Sequence, residues 1–396
     1  MFEGAEAKLA KSGPRKLLSL DGGGIRGLIT IEILSKIERI LREQSGRPSL
    51  VLADYFDYIA GTSTGAVIGT LLSLGRSVDE IRGIYLDCGR MMFDKDTILG
   101  RLPMAAQLMG HYMKRWVWEP DAYAKYPDAP LAGKLKELVG ADTTLGTDKL
   151  RTLLLVVLSN ASTDSPWPIS NNPRAKYNDP ALPDSNANFP LWQLVRASTA
   201  APTYFPPQEI RLPGQSLPFV FVDGGVTSYN NPSFQLFLQA TLAPYRVSWP
   251  AGEKEMLLVS IGTGLRPNVQ NALRREDLDA ALTIETATEA LFNAAMYQQD
   301  QLCRVFGRCW CGEPLDEEIG DLIGTKSPAD PSRLFTYVRY NATLTEPGLG
   351  GLGVGHIDPK DVQALDSIEH MKELQEIGRA VAETRITPLH FAGFPA

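Results

Sequence analysis

Along the chain, short apolar runs alternate with longer stretches in which apolar residues recur at helical spacing. "KLLSL" (16–20) predicts a buried strand ending at Asp21. Behind it Leu28, Ile29, Ile31, Ile33, Leu34, Ile37, Ile40 and Leu41 keep an approximately helical period, which predicts a helix to about Glu43. "FDYIAG" (56–61) predicts a second strand, and "GAVIGTLLSLG" (65–75) the helix after it. Three further strands are read in "RTLLLVVLSN" (151–160), "LPFVFVDGG" (217–225) and "EMLLVSIGTG" (255–264). Strands that alternate with helices and close in glycine-rich loops predict an α/β fold with a largely parallel sheet. In such sheets ligands sit beyond the carboxyl ends of the strands, where these glycine-rich loops fall. The Pro-, Asn- and Ser-rich stretch from Trp167 to Pro190 reads as a long loop. The tail from about Pro347 to Ala396 holds a glycine-rich turn, "GLGGLGVGH", and an amphipathic helix near 366–384.

Composition narrows the function. Of 396 residues, 39 are basic and 46 acidic, a net charge of −7. A general nucleic-acid binder needs a surplus of Lys and Arg to neutralise phosphates, so this balance gives no support for that class. The N-terminal stretch has no apolar core of a secretory signal. The longest clean apolar run, "LLLVVL" at 153–158, is far too short to span a bilayer, so any membrane contact is expected to be peripheral. Four cysteines make no disulfide framework, and a reducing cytoplasm is the simplest reading.

Two glycine-rich segments carry candidate chemistry. In "SLDGGGIRGL" (19–28), Gly22, Gly24 and Gly27 satisfy the dinucleotide spacing G-x-G-x-x-G. A nucleotide-binding unit also wants an acidic residue about twenty positions on, at a second strand end. Here that distance falls near Glu43, at the end of the same helix, which weakens the nucleotide reading. "GTSTG" (61–65) fits the nucleophile elbow, in which small flanks, Gly61 and Gly65, permit a sharp turn that exposes Ser63. The plainer alternative is a Ser/Thr-rich helix cap.

A serine nucleophile needs a base. Asp223, in "FVFVDGGV", ends an apolar strand, and Gly224 behind it allows a tight turn into a site. It reads either as a turn former or as a general base whose pKa burial raises. Of the four histidines, His111, His356, His370 and His390, only His356 sits in a glycine-rich turn. That leaves an esterase triad of Ser63, Asp223 and His356 as a rival arrangement. Acyl transfer also needs N–H donors for its oxyanion, each worth ~3 kcal/mol, and consecutive glycines at a helix N-terminus offer them with no Cβ in the way.

"DGGGIRG", "GTSTG" and "DGG", in this order, resemble the patatin-like phospholipase family. "RASTAAPTYFPP" (196–207), "DGGVTSYNNP" (223–232) and "SIGTG" (260–264) are similar to it as well. The resemblance implies a three-layer α/β/α fold and a catalytic domain over 15–345, with its motifs in 15–265. The tail, 346–396, is expected to pack on that core. It implies a Ser63–Asp223 dyad acting without histidine on carboxylic esters of phospholipids or related acyl lipids. It implies an oxyanion hole from the backbone amides of Gly22, Gly23, Gly24 and Ile25, with Arg26, Gly27, Gly61, Gly65 and Gly224 supporting the loops. No metal or organic cofactor is implied. Some bacterial members are reported to be switched on by cyclic nucleotides, although no residue here marks such a site. One departure is visible: the elbow is often followed by a further glycine, and here the residue is Ala66.

Two segments stand outside these motifs. "CRVFGRCWCG" (303–312) offers Cys303, Cys309 and Cys311 at a spacing unlike zinc pairs, so a buried structural segment is the better reading. "MKRWVW" (113–118) reads as a core helix with one basic edge, or as an interfacial patch.

Overall fold

The computed structural model describes residues 1–92, 124–211, 217–266 and 280–396. His111 and the segment 113–118 lie outside them. The described residues contain one nine-stranded sheet. Its strands are β1 (Arg15–Leu20), β2 (Tyr58–Thr62), β3 (Leu153–Asn160), β4 (Ser165–Ser170), β5 (Gln208–Ile210), β6 (Phe219–Asp223), β7 (Met256–Ile261), β8 (Arg308–Cys311) and β9 (Thr336–Tyr340). They run in the order β5-β6-β3-β2-β1-β7-β9-β8, with β4 paired to β3 off this path. From β3 through β2, β1, β7 and β9 to β8 every pair is parallel. The β3–β4, β3–β6 and β5–β6 pairs are antiparallel. The sheet is thus largely parallel, as the strand–helix alternation predicts.

Alternate side chains of the central strands feed two separate cores. Leu18, Leu20, Ile59, Leu154, Val156 and Val259 enter one. Leu17, Tyr58, Ala60, Leu153, Leu155 and Leu258 enter the other. A sheet buried on both faces has no polar alternation, which is why its strands read as continuous apolar runs. The second face is covered by α1 (Glu3–Ala10) and α5 (Ser233–Thr241). The first face is covered by α2 (Gly27–Ser45), α3 (Thr64–Ser73), α4 (Leu191–Ser198) and α6 (Met371–Arg385). The tail has no core of its own, because Leu374, Ile377, Val381, Phe391 and Phe394 belong to the cluster that holds β1 and α2. Burying each such side chain stabilises by ~1.5–3 kcal/mol. A Cβ on Gly378 would lie 2.8 Å from the Ile29 carbonyl oxygen, so the backbone of α6 comes directly against the backbone of α2.

Four strands depart from the sequence pattern: β4, the three-residue β5, β8 and β9. β4 lies where a loop is expected, because "SPWPIS" contains Pro166 and Pro168. The prolines are two apart, so their missing N–H groups share one edge, and β4 pairs on one side alone. β8 and β9, of four and five residues, are too short for periodicity to register. β8 includes Cys309 and Cys311, and burial pushes the Cys309 thiol up to about 12. Among the described residues no cluster of three His, Cys, Asp or Glu side chains is placed to hold a metal.

Candidate active site

β2 ends at Thr62, α3 begins at Thr64, and Ser63 between them has φ +54° and ψ −122°. A non-glycine residue in such a conformation costs on the order of 1–3 kcal/mol, so the surroundings must hold it. A Cβ on Gly61 would fall 2.1 Å from the Gly65 carbonyl oxygen, and one on Gly65 would fall 2.3 Å from that of Leu20. The turn therefore closes only with glycine at both flanks. Ala66 serves it adequately: its N–H donates to the Ser63 carbonyl at 2.8 Å, and its side chain is buried.

Asp223 ends β6 and faces the elbow. The Ser63 hydroxyl donates to its Oδ2 at 2.7 Å, and the Gly225 N–H donates to its Oδ1 at 2.6 Å. Gly224 passes too close to β3 for a side chain, since its Cβ would lie 2.2 Å from the Val157 oxygen. Burial pushes the Asp223 pKa up to about 6, opposed by the hydrogen bonds from Ser63 and Gly225 and by the charge of Arg196. A carboxylate with that pKa is ionised at neutral pH and still basic enough to accept a proton in a transition state.

The glycine loop leaves β1 beside them. Its base is pinned by a buried ion pair, with Arg339 donating to both Asp21 oxygens at 2.9 and 2.5 Å. Gly24 has φ +59°, and a Cβ there would lie 2.2 Å from the Leu365 oxygen. A Cβ on Gly23 would meet the Thr263 hydroxyl at 2.1 Å. Arg26 is buried and braces the loop, donating to the carbonyls of Gly23 at 3.3 Å and Gly264 at 3.2 Å. Gly27 packs on the elbow, where a Cβ would lie 2.7 Å from the Thr64 hydroxyl. The G-x-G-x-x-G spacing is thus accounted for by close packing, of Gly22 on Asn230 and Ser63, of Gly24 on Leu365 and of Gly27 on Thr64.

The expected set of four amide donors is narrowed by geometry. Gly22 N–H donates to the Asn230 carbonyl at 3.1 Å, and Ile25 N–H to the Leu365 carbonyl at 2.9 Å. Both are engaged. The N–H groups of Gly23 and Gly24 have no acceptor among the described residues. Ser63, Asp223 and this loop open on a cleft of about 150 Å³ whose walls include Val67, Leu131, Phe205 and Met296. Its lining suits an alkyl chain.

The triad arrangement is not assembled. His356 is 65% exposed and lies 3.3 Å from Glu376. His370 faces Asp361 and Glu373, and His390 bonds the Tyr340 hydroxyl at 2.7 Å. Asn230, Arg339, Leu365 and Ser198, which all hold the site, were not among the expected residues. Two of them had a signal: Ser198 through its place in "RASTAAPTYFPP" and Asn230 through its place in "DGGVTSYNNP". Among the described residues no helix is long and apolar enough to cross a membrane.

A family model described as patatin-like phospholipase matches residues 18–237, from β1 into α5. The cGAMP-activated phospholipase of Escherichia coli (strain TW11681) is 30% identical over 250 residues, covering 63% of this chain and 62% of that protein. The protein of the same name from Vibrio cholerae is 30% identical over 251 residues, covering 63% and 64%. Patatin-like protein 4 of Arabidopsis thaliana is 31% identical over 264 residues, covering 63% and 59%. The aligned region spans about three-fifths of the length of these relatives. The family match takes in more than half of the chain, together with the glycine loop, the Ser63 elbow and Asp223, and on that ground the chain belongs to the patatin-like phospholipase family.

Proposed function

We propose that this chain is a lipid acyl hydrolase that cleaves carboxylic ester bonds of phospholipids or related acyl lipids through an acyl-Ser63 intermediate. The observation that carries the reading is the 2.7 Å bond from the Ser63 hydroxyl to Asp223, set in an apolar cleft beside two unengaged amides. Asp223 takes the Ser63 proton as Oγ attacks the ester carbon, and the carbonyl electrons move onto oxygen. Gly23 and Gly24 donate to that oxyanion, a contact made more strongly in the transition state than to the substrate. Collapse breaks the carbon–oxygen bond to the alcohol, and protonated Asp223 returns its proton to the departing alkoxide. Asp223 then deprotonates a water that attacks the acyl-enzyme. The carboxylic acid leaves, and Ser63 regains its proton.

A cytoplasmic location with peripheral membrane contact fits this reading, and neither a metal nor an organic cofactor is needed for it. The two bacterial relatives whose names include cGAMP activation support a cyclic-nucleotide activator as a further part of the proposal. The test is a panel of phospholipids and simple acyl esters with mass analysis of products, run with and without cyclic GMP–AMP. Ser63→Ala is expected to reduce hydrolysis to background, and a fluorophosphonate probe to label the wild type alone. Labelling that persists in folded Ser63→Ala sinks the assignment.

A further inference from the structure

Ser63 and Asp223 lie 160 residues apart, and both are bonded to the same three-residue stretch. Ser198, the last residue of α4, is fully buried. Its hydroxyl accepts the Ser63 N–H at 2.9 Å and donates to the Val157 carbonyl at 2.6 Å. Two residues on, the Ala200 carbonyl accepts the Asp223 N–H at 3.0 Å. Thr199 between them is tied back to the helix, its hydroxyl donating to the Arg196 carbonyl at 2.9 Å. The anchor of the Ser198 hydroxyl is itself central: Val157 stands opposite Thr62 in the sheet register, and Leu158 stands opposite Asp223. A single rigid corner therefore touches the nucleophile on one side and the base on the other.

Ser63 needs such a hold. Its positive φ is unfavourable for a residue with a Cβ. The Ser198 hydroxyl is the partner of the Ser63 N–H, and Ser198 does not line the cleft. We propose that Ser198 is a positioning residue for the acyl-transfer reaction, its hydroxyl holding the Ser63 turn while the Ser198–Ala200 segment gauges the distance from nucleophile to base. This rests on the acyl hydrolase reading given above.

The hold acts on geometry, so its loss reads in turnover more than in substrate binding. A displacement of about 1 Å in a reacting group costs on the order of 10²-fold in rate. Ser198→Ala is expected to lower kcat ~10–100-fold with KM within about twofold, and to slow fluorophosphonate labelling in parallel. A slackened Ser63–Asp223 hydrogen bond also restrains the Asp223 pKa less, so the acid limb of kcat/KM moves to higher pH. Ser198→Cys, nearly the same shape with a poorer acceptor, is expected to fall between Ala and wild type. It also takes the place of Ser198→Ala if that variant does not fold, as judged by circular dichroism. Wild-type kcat and labelling in the folded variant overturn the proposal. So does a loss expressed in KM with an unmoved acid limb. The underlying reading is judged separately: hydrolysis retained by Ser63→Ala defeats that reading, whereas a dead Ser63→Ala beside a fully active Ser198→Ala defeats the positioning role alone.

Discussion

Replacing Asp223 by Asn is expected to abolish turnover and, at neutral pH, to stabilise the fold. The carboxyl is buried against the sheet, and its pKa rises from 3.8 to about 6 on folding. Between those two values the native state holds more protons than the unfolded chain, so its stability falls as pH rises through the window and levels off above pH 6. A rise of roughly two units corresponds to about 3 kcal/mol above pH 7, and to about 2 kcal/mol between pH 4 and 7.5. Asparagine has the same shape and does not titrate, so the variant escapes this cost. Thermal and urea unfolding of both proteins at pH 4 and 7.5 reads it directly: the variant's advantage should widen with pH by about 2 kcal/mol. Under the proposed mechanism the same carboxylate sets the rate profile, and wild-type kcat/KM should climb through pH 6 to a plateau. Loss of a base that works as a unit with its nucleophile costs ~10⁴-fold or more. A stability difference that is the same at both pH values refutes the reasoning, because the carboxyl then carries no raised pKa.

Two further outcomes follow from the site's geometry. His356→Ala is expected to lose less than about tenfold in kcat/KM, since the ring is largely exposed and lies against Glu376, and a collapse of activity in folded protein would restore the triad arrangement. Gly24→Ala pushes a methyl toward the Leu365 carbonyl and requires φ +59° of an alanine. It should lower kcat by ~10² or more with little change in KM, measured on a soluble ester with circular dichroism as the fold control, and an unchanged kcat removes Gly24 from the oxyanion hole.

The central strands were legible because both faces of the sheet are buried, which leaves unbroken runs such as "LLLVVL" in β3. Ser63 and Asp223 were legible because each stands at the end of such a run among glycines that a turn requires. Which glycine amides remain open was not legible. Gly22 and Ile25 are engaged by the carbonyls of Asn230 and Leu365, and backbone acceptors supplied from distant loops carry no residue signature. Arg339 sits in a strand of five residues, too short for the pattern to reveal, and its pairing with Asp21 depends on the register between β7 and β9. β4 was hidden by its own prolines, which mark loops in general and permit a strand only where one edge stays unpaired.

The reach of the glycine loop across the chain sets an order of assembly. Asp21 waits for Arg339, 318 residues later, and Ile25 waits for Leu365, later still. At ribosomal rates of about 5–20 residues per second, these braces arrive tens of seconds after the loop itself has emerged. Ser63 and Asp223 are both made well before them. A growing chain therefore carries Ser63 and Asp223 in advance of the contacts that brace the glycine loop, and under the proposed acyl-transfer mechanism the two amides of that loop take their final places only after residue 365 has been synthesised.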